Sequence, residues 1–262
     1  MDPVWLLAFT AGAMSIAMCL AWCWQLRFGN AAIVDVVWTL GVGVLCIACL
    51  AVAADGLPAR RLLLSVLIGI WSVRLVGHLL ARMLGSKEDE RYQRLKSTWG
   101  RWSQLRLLFF YQAQALSAPL FVLPLLIAGN SPTPLQSLDL VGSGIWLIAI
   151  AGEWQADRQL ARFRSDRNNQ GKVCRQGWWR YSRHPNYFFE WLHWCSYVPF
   201  AILAPWGWLS LLTPAAMYYF LNYVTGIPPA EEQAIQSRGE EYREYQQRTS
   251  PFFPWRNARG SD

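Results

Sequence analysis

Long apolar runs alternate with shorter polar, mostly basic segments along this chain. A helix needs about 20 apolar residues to cross the hydrocarbon core of a bilayer. Seven runs reach or approach that length: 3–26, 31–53, 62–84, 105–128, 138–154, 188–204 and 206–224. Only Pro205 divides the last two, so they read either as two spans or as one re-entrant hairpin. The first run is too long for a secretory signal and lacks a basic start, so it reads as a span. The pattern predicts an all-α fold: a polytopic membrane helix bundle of about seven transmembrane helices, with 1–262 as a single membrane-embedded domain.

Composition agrees. Of 262 residues 53% are hydrophobic, 16% are charged and 16 are Trp. A soluble domain carries about 25% charged residues. The apolar content excludes a disordered chain. The net charge of +7 is explained by position: 21 of the 24 lysines and arginines fall on one side of a seven-span arrangement. Arg60 and Arg61 fall on the other side, and Arg74 lies within a span. The basic side is the cytoplasmic one. The N-terminus is thus expected outside, with 225–262 as a cytoplasmic C-terminal tail. Topology accounts for the charge, so no nucleic-acid partner is expected and the bilayer is the expected surroundings.

The loop 85–103 reads as an interfacial helix anchored by Tyr92, Trp99 and Trp102. The stretch 153–190 is the most informative, and its 155–187 segment is expected to be a cytoplasmic cofactor-binding loop. It carries eight basic residues, among them Arg164, Lys172 and Arg183, whose chemistry suits phosphate. Trp178, Trp179, Tyr181 and Tyr187 offer flat faces to a heterocycle. Pro185 suits the first turn of a helix, with Ser182 a candidate cap and the helix N-terminus attractive to an anion. Asn186 and Glu190 then share one helix face, and Asp157 is placed to accept hydrogen bonds from a ribose or an amide.

Polar groups also interrupt the early spans, where they are costly and mark function by default. These are Asp35 and Trp38 in the second run, Tyr111 with Gln112 and Gln114 in the fourth, and Trp71, Arg74, His78 and Arg82 at helical spacing in the third. Together they suggest a polar pocket. Cys46-x-x-Cys49 on an apolar helix reads as packing, and five of the six cysteines lie in spans, so a disulfide framework is not expected. The three histidines have no metal-ligand spacing, so no metal is expected. Dinucleotide-fold, P-loop and serine-nucleophile signatures are missing.

The segment GWWRYSRHPNYFFE, preceded by ADRQLARF and followed by EEYREYQQRTSPFFPW, resembles the steroid 5-alpha-reductase-like membrane enzymes, and within them the bacterial branch DUF1295. KEDERYQRLKSTWG and Arg74-x-x-x-His78-x-x-x-Arg82 fit that branch too. The resemblance implies a bacterial inner-membrane enzyme that uses NADPH to reduce a carbon–carbon double bond conjugated to a carbonyl in a flat, steroid- or lipid-like substrate. It places Asp157, Arg164, Lys172, Tyr181, Asn186 and Glu190 near the cofactor. It also implies an early-span acid and a Tyr that hydrogen-bond the substrate carbonyl. Asp35 stands for the acid and Tyr111 for the Tyr, because Trp71 occupies the usual tyrosine place. Trp38, Trp71, Arg74 and His78 would line the substrate pocket. Arg183-His184-Pro185-Asn186-Tyr187 and the Glu231-Glu232 pair are also similar to isoprenylcysteine carboxyl methyltransferases. The alternative is therefore an S-adenosylmethionine-dependent methyltransferase of a lipid or prenylated thiol.

Overall fold

The structure is a computed structural model that describes residues 3–53, 55–85, 88 and 90–255. Its helices are α1 (Pro3–Phe28), α2 (Ile33–Val52), α3 (Pro58–Leu84), α4 (Glu90–Trp99), α5 (Ser103–Gly129), α6 (Ser137–Ser165), α7 (Pro185–Cys195), α8 (Val198–Ala201), α9 (Leu212–Tyr219), α10 (Ile227–Arg238) and α11 (Glu240–Arg248). No strand occurs among the described residues; one isolated parallel bridge joins Ser182 to Ser250. Packing divides the chain into two units, Met1–Gln136 with Phe200–Ser210, and Ser137–Pro199 with Leu211–Asp262.

In the first unit α1 packs on α5 and α2 packs on α3, α5 and α1. Apolar side chains alone give little drive for helix association in lipid, so cross-helix hydrogen bonds and close packing do that work. At the end of α1, Trp22 Nε1 donates to the Gln104 carbonyl (3.1 Å) and Gln25 Nε2 to Gln104 Oε1 (2.6 Å). Midway, Ser15 bonds Gln112, whose Nε2 also reaches the Ser15 carbonyl at 3.3 Å. α1 and α5 are therefore antiparallel, and Gln112 is a packing residue.

Arg60 and Arg61, expected on the less basic side, have structural roles. Arg60 is buried and donates to the carbonyls of Ser131 (3.3 Å), Thr133 (2.9 Å) and Pro134 (2.9 Å), tying down the turn after α5. Arg61 caps the end of α2 through the carbonyls of Leu50 and Ala51, both at 2.7 Å. A cation there meets both the orphaned carbonyls and the negative end of the helix dipole.

Among the described residues four helices are long and apolar enough to cross a membrane: Pro3–Phe28, Ile33–Val52, Pro58–Leu84 and Tyr92–Gly129. This falls short of the seven expected spans. The run 138–154 is the first part of the 29-residue α6, in which Asp139, Glu153 and Asp157 lower the hydropathy. The runs 188–204 and 206–224 do not form single long helices. The first breaks into α7 and the four-residue α8. The second begins at a turn where Pro205 removes an N–H and Trp206 takes φ 62°, then continues as a 3₁₀ turn, α9 and a π-helical turn over Phe220–Val224.

In the second unit α6 packs on α7. Gly152 makes their close approach possible: a Cβ there would lie 2.3 Å from Phe189 Cε1. Gly152→Leu is expected to lower stability by about 1–3 kcal/mol through overpacking, read as a drop in the thermal midpoint in detergent. The rings of Phe188, Trp191, Tyr218, Phe252 and Phe253 pack edge to face or tilted at centroid distances of 5.2–6.2 Å, which fixes the C-terminal segment on α7.

Candidate functional site

Asp35 stands in the first turn of α2, where a carboxylate complements the helix dipole. Tyr92 of α4 is fully buried, and its hydroxyl lies 3.0 Å from each Asp35 carboxylate oxygen. This overturns the reading of Tyr92 as an interfacial anchor: α4 turns Tyr92 and Lys96, one helical turn apart, toward the start of α2. Lys96 Nζ bonds Glu88 Oε1 at 2.6 Å and the Gly29 carbonyl at 2.7 Å, and the same Glu88 oxygen accepts from Ala31 N at 2.9 Å. Tyr111, also fully buried, donates instead to the Ala31 carbonyl at 2.8 Å. Tyr111 thus braces the backbone one turn before Asp35, and Tyr92 is the phenol placed on that carboxylate.

The four expected pocket residues are spread along a gradient of burial. Trp71 is fully buried, Trp38 and Arg74 are half-buried, and His78 is exposed. Trp38 Nε1 is spent on α5, donating to the Gln114 carbonyl (3.1 Å) and Ser117 Oγ (3.2 Å), while its ring meets the Phe121 ring edge-on at 4.9 Å. It can offer a wall but no free donor.

In the second unit the Arg-His-Pro segment is organised by Glu231, which the sequence reading had noticed only as part of an acidic pair. Arg183 Nε donates to Glu231 Oε1 at 2.6 Å, and Arg183 Nη1 donates to the carbonyls of Gln246 (3.0 Å) and Thr249. His184 Nε2 lies 3.3 Å from Glu231 Oε1, and Gln246 Nε2 donates to Oε2 at 2.7 Å. The Tyr242 hydroxyl is 3.5 Å from Oε1. Burial alone would raise the Glu231 carboxyl, but hydrogen bonds from His184 and Arg183, with the Arg183 charge, outweigh it and take the pKa down to about 2. Burial pushes His184 below its ordinary value, with Glu231 opposing and the Arg183 charge adding to the fall. Glu231 is therefore held ionised, with His184 Nε2 within hydrogen-bonding reach of it.

The strand-like segment after α11 completes this clamp. Arg183 N donates to the Ser250 carbonyl (2.8 Å) and Ser182 Oγ to the Phe252 carbonyl (2.8 Å). Ser182 was a candidate cap for α7. The N-cap is instead His184, and Ser182 Oγ accepts its backbone N–H at 3.1 Å.

The remaining candidates lie on α6, on α7 and on the segment between them. Asn186 is half-buried in the first turn of α7, and Glu190, one turn on, is buried with Trp194 Nε1 donating to it at 3.0 Å. Asp157 is half-buried on α6. Arg164, Lys172 and Tyr181 are exposed, and the Arg164 charge acts on the buried Cys174 thiol. Exposed cations such as Arg164 and Lys172 have the chemistry to hold a phosphate.

Comparison with known proteins follows the same lines. A 114-residue part of the chain is 26% identical to human 3-oxo-5-alpha-steroid 4-dehydrogenase 1, and the match covers 44% of this chain and 41% of that protein. The Macaca fascicularis protein of the same name matches at the same identity and coverage. The matched part thus spans about two-fifths of the length of these curated relatives. No solved structure matches. The family model described as "Protein of unknown function (DUF1295)" matches residues 21–249, and with that match over most of its length the chain belongs to the DUF1295 family.

Proposed function

We propose that this protein is a membrane-embedded reductase that reduces a double bond conjugated to a carbonyl in a hydrophobic, steroid- or lipid-like substrate, with NADPH as the electron source. The observation that carries the reading is the buried Tyr92 hydroxyl held on both oxygens of Asp35. Reduction of an enone places negative charge on the carbonyl oxygen as hydride reaches the β-carbon. A preorganised donor aimed at that oxygen is the most effective stabiliser available. Tyr92, turning its hydrogen from Asp35 to the carbonyl, supplies it, and a proton from water completes the reaction at the α-carbon. Tyr111, Glu88 and Lys96 hold the backbone and α4 in register. Trp38 and Trp71 form apolar walls, with Arg74 and His78 toward the rim.

NADPH, when bound, supplies the hydride. Arg164 and Lys172 would hold its phosphates, Asp157 a ribose hydroxyl, Tyr181 a ring face, and Asn186 and Glu190 the nicotinamide end. Arg183 is assigned a positioning role, because its Nε and Nη1 are committed to Glu231, Gln246 and Thr249. The basic side of the chain would face the cytoplasm.

One observation favours the second reading, a methyltransferase: the Arg-His-Pro segment and the Glu231-Glu232 segment, both similar to those enzymes, meet at Glu231. Calorimetry on purified protein in detergent separates the two. Saturable binding of NADPH, weakened about two- to tenfold in Asn186→Ala by loss of one hydrogen bond to the nicotinamide end, is the expected result. Saturable S-adenosylmethionine binding with none by NADPH would defeat the reductase reading.

A further inference from the structure

We propose that the outward stripe of α6 at Trp154, Arg158 and Arg162 binds the headgroup of an anionic phospholipid. This site lies apart from the residues assigned to the reductase reading and does not depend on it.

The stripe follows from helical geometry. α6 has 29 residues and so rises about 43 Å, against about 30 Å of hydrocarbon. Its apolar residues lie in the first part, 138–154, and its arginines beyond it. One face of α6 is buried against α7, where Gly152 and Ala156 lie. The opposite face is open and changes character along its length. Leu140, Leu147 and Ile148 come first, at 76%, 61% and 61% exposure. Trp154 follows at 49% exposure, then the exposed Arg158 and Arg162. Apolar, then aromatic, then basic is the order in which a bilayer presents its hydrocarbon, its interface and its phosphates.

The two arginines are placed for phosphate. In a helix each Cα–Cβ bond tilts toward the N-terminus. Arg158 and Arg162 therefore lean back toward Trp154 and the membrane. Arg158 does so visibly, its guanidinium standing 4.4 Å from the Trp154 ring centroid. Their Cα atoms lie about 6 and 12 Å past that of Trp154 along the axis, while the headgroup layer is about 5–8 Å deep, so side chains leaning back reach the phosphate level.

Their pairing sets them apart from Arg175 and Arg183 of the same segment. Arg183 is held by Glu231, and Arg175 reaches Glu244 at 3.3 Å and the Tyr245 ring at 5.8 Å. Neither Arg158 nor Arg162 forms an ion pair with another described residue. Two cations one turn apart, uncompensated by the protein, match a headgroup with net negative charge. A zwitterionic headgroup brings its own cation and offsets the gain. Guanidinium forks also match phosphate oxygens two at a time.

The test is native mass spectrometry of the full chain released from micelles holding phosphatidylglycerol and phosphatidylcholine in equal amounts. Each basic residue near an anionic surface is worth about fivefold in binding, so Arg158→Gln with Arg162→Gln should lower phosphatidylglycerol retention about thirtyfold, and Arg162→Gln alone about fivefold. Arg180→Gln, an exposed arginine off the stripe, should leave retention unchanged. Thermal unfolding in phosphatidylcholine checks that each variant is folded, and the single variant carries the test if the double one is not. Equal retention by the wild type and both stripe variants overturns the proposal. So does displacement of the lipid by free glycerol phosphate at equal concentration, which would make the site one for soluble anions.

Discussion

Glu231→Ala is expected to be the most destabilising single change outside the apolar spans. It leaves the Arg183 guanidinium without its carboxylate in a site where Arg183 and Glu231 side chains are only 9% and 14% exposed. Removing one partner of a buried ion pair costs about 3–5 kcal/mol. The loss should spread, because the same carboxylate also receives His184, Gln246 and Tyr242, and Arg183 in turn holds the carbonyls of Gln246 and Thr249 at the end of α11. Thermal unfolding in detergent, with limited proteolysis of the segment after Arg238, reads it. A change within about 0.5 kcal/mol, the range of an ordinary surface substitution, would show that the clamp is not needed. The acid limb checks the same cluster. Glu231 has its pKa depressed from 4.5 to about 2, so its contribution is present above 4.5 and fades as pH falls through 2. His184 is depressed below 6.5, so its contribution is whole above 6.5 and declines below it. Stability in the wild type should therefore fall in acid, and more steeply than in Glu231→Gln.

Tyr92→Phe is expected to keep the fold and lose the chemistry. The change removes one hydroxyl from a ring that still fills its place beside Phe110, 6.3 Å away. Loss of one oxyanion-stabilising donor costs about 10²–10³-fold in kcat. Tyr111→Phe provides the contrast: its hydroxyl serves a backbone carbonyl, so its effect should appear mainly as stability, at about 1 kcal/mol for one lost hydrogen bond. Turnover lost in Tyr111→Phe and kept in Tyr92→Phe would transfer the donor role back to Tyr111.

Much of this was readable in the sequence, and the exceptions have physical causes. Helical class and membrane character follow from run length and composition, which act locally. The continuous helices also fell near their expected bounds, α1 to α3 within a few residues. The runs 188–204 and 206–224 are apolar enough, yet Pro205 and the π-helical turn break them; hydropathy counts side chains and is blind to backbone interruptions. Tyr92 was misplaced because a Tyr in a charged segment has the same local signature whether it faces the interface or a carboxylate 57 positions earlier. Arg183 offered no sign of its partner for a similar reason. Its ligands are a carboxylate and two backbone carbonyls from 48 to 66 residues later, and carbonyls carry no sequence signal at all.

The central claim is hydride transfer to a hydrophobic acceptor, and isotope transfer tests it most directly. Protein in detergent is incubated with NADPH deuterated at the nicotinamide C4 and with an enone-bearing steroid and lipid panel, and products are read by mass spectrometry. The account predicts one deuterium at the β-carbon of a saturated ketone, lost in Tyr92→Phe. Unlabelled, unreduced panel members, alongside methyl transfer from labelled S-adenosylmethionine to a lipid, would contradict it.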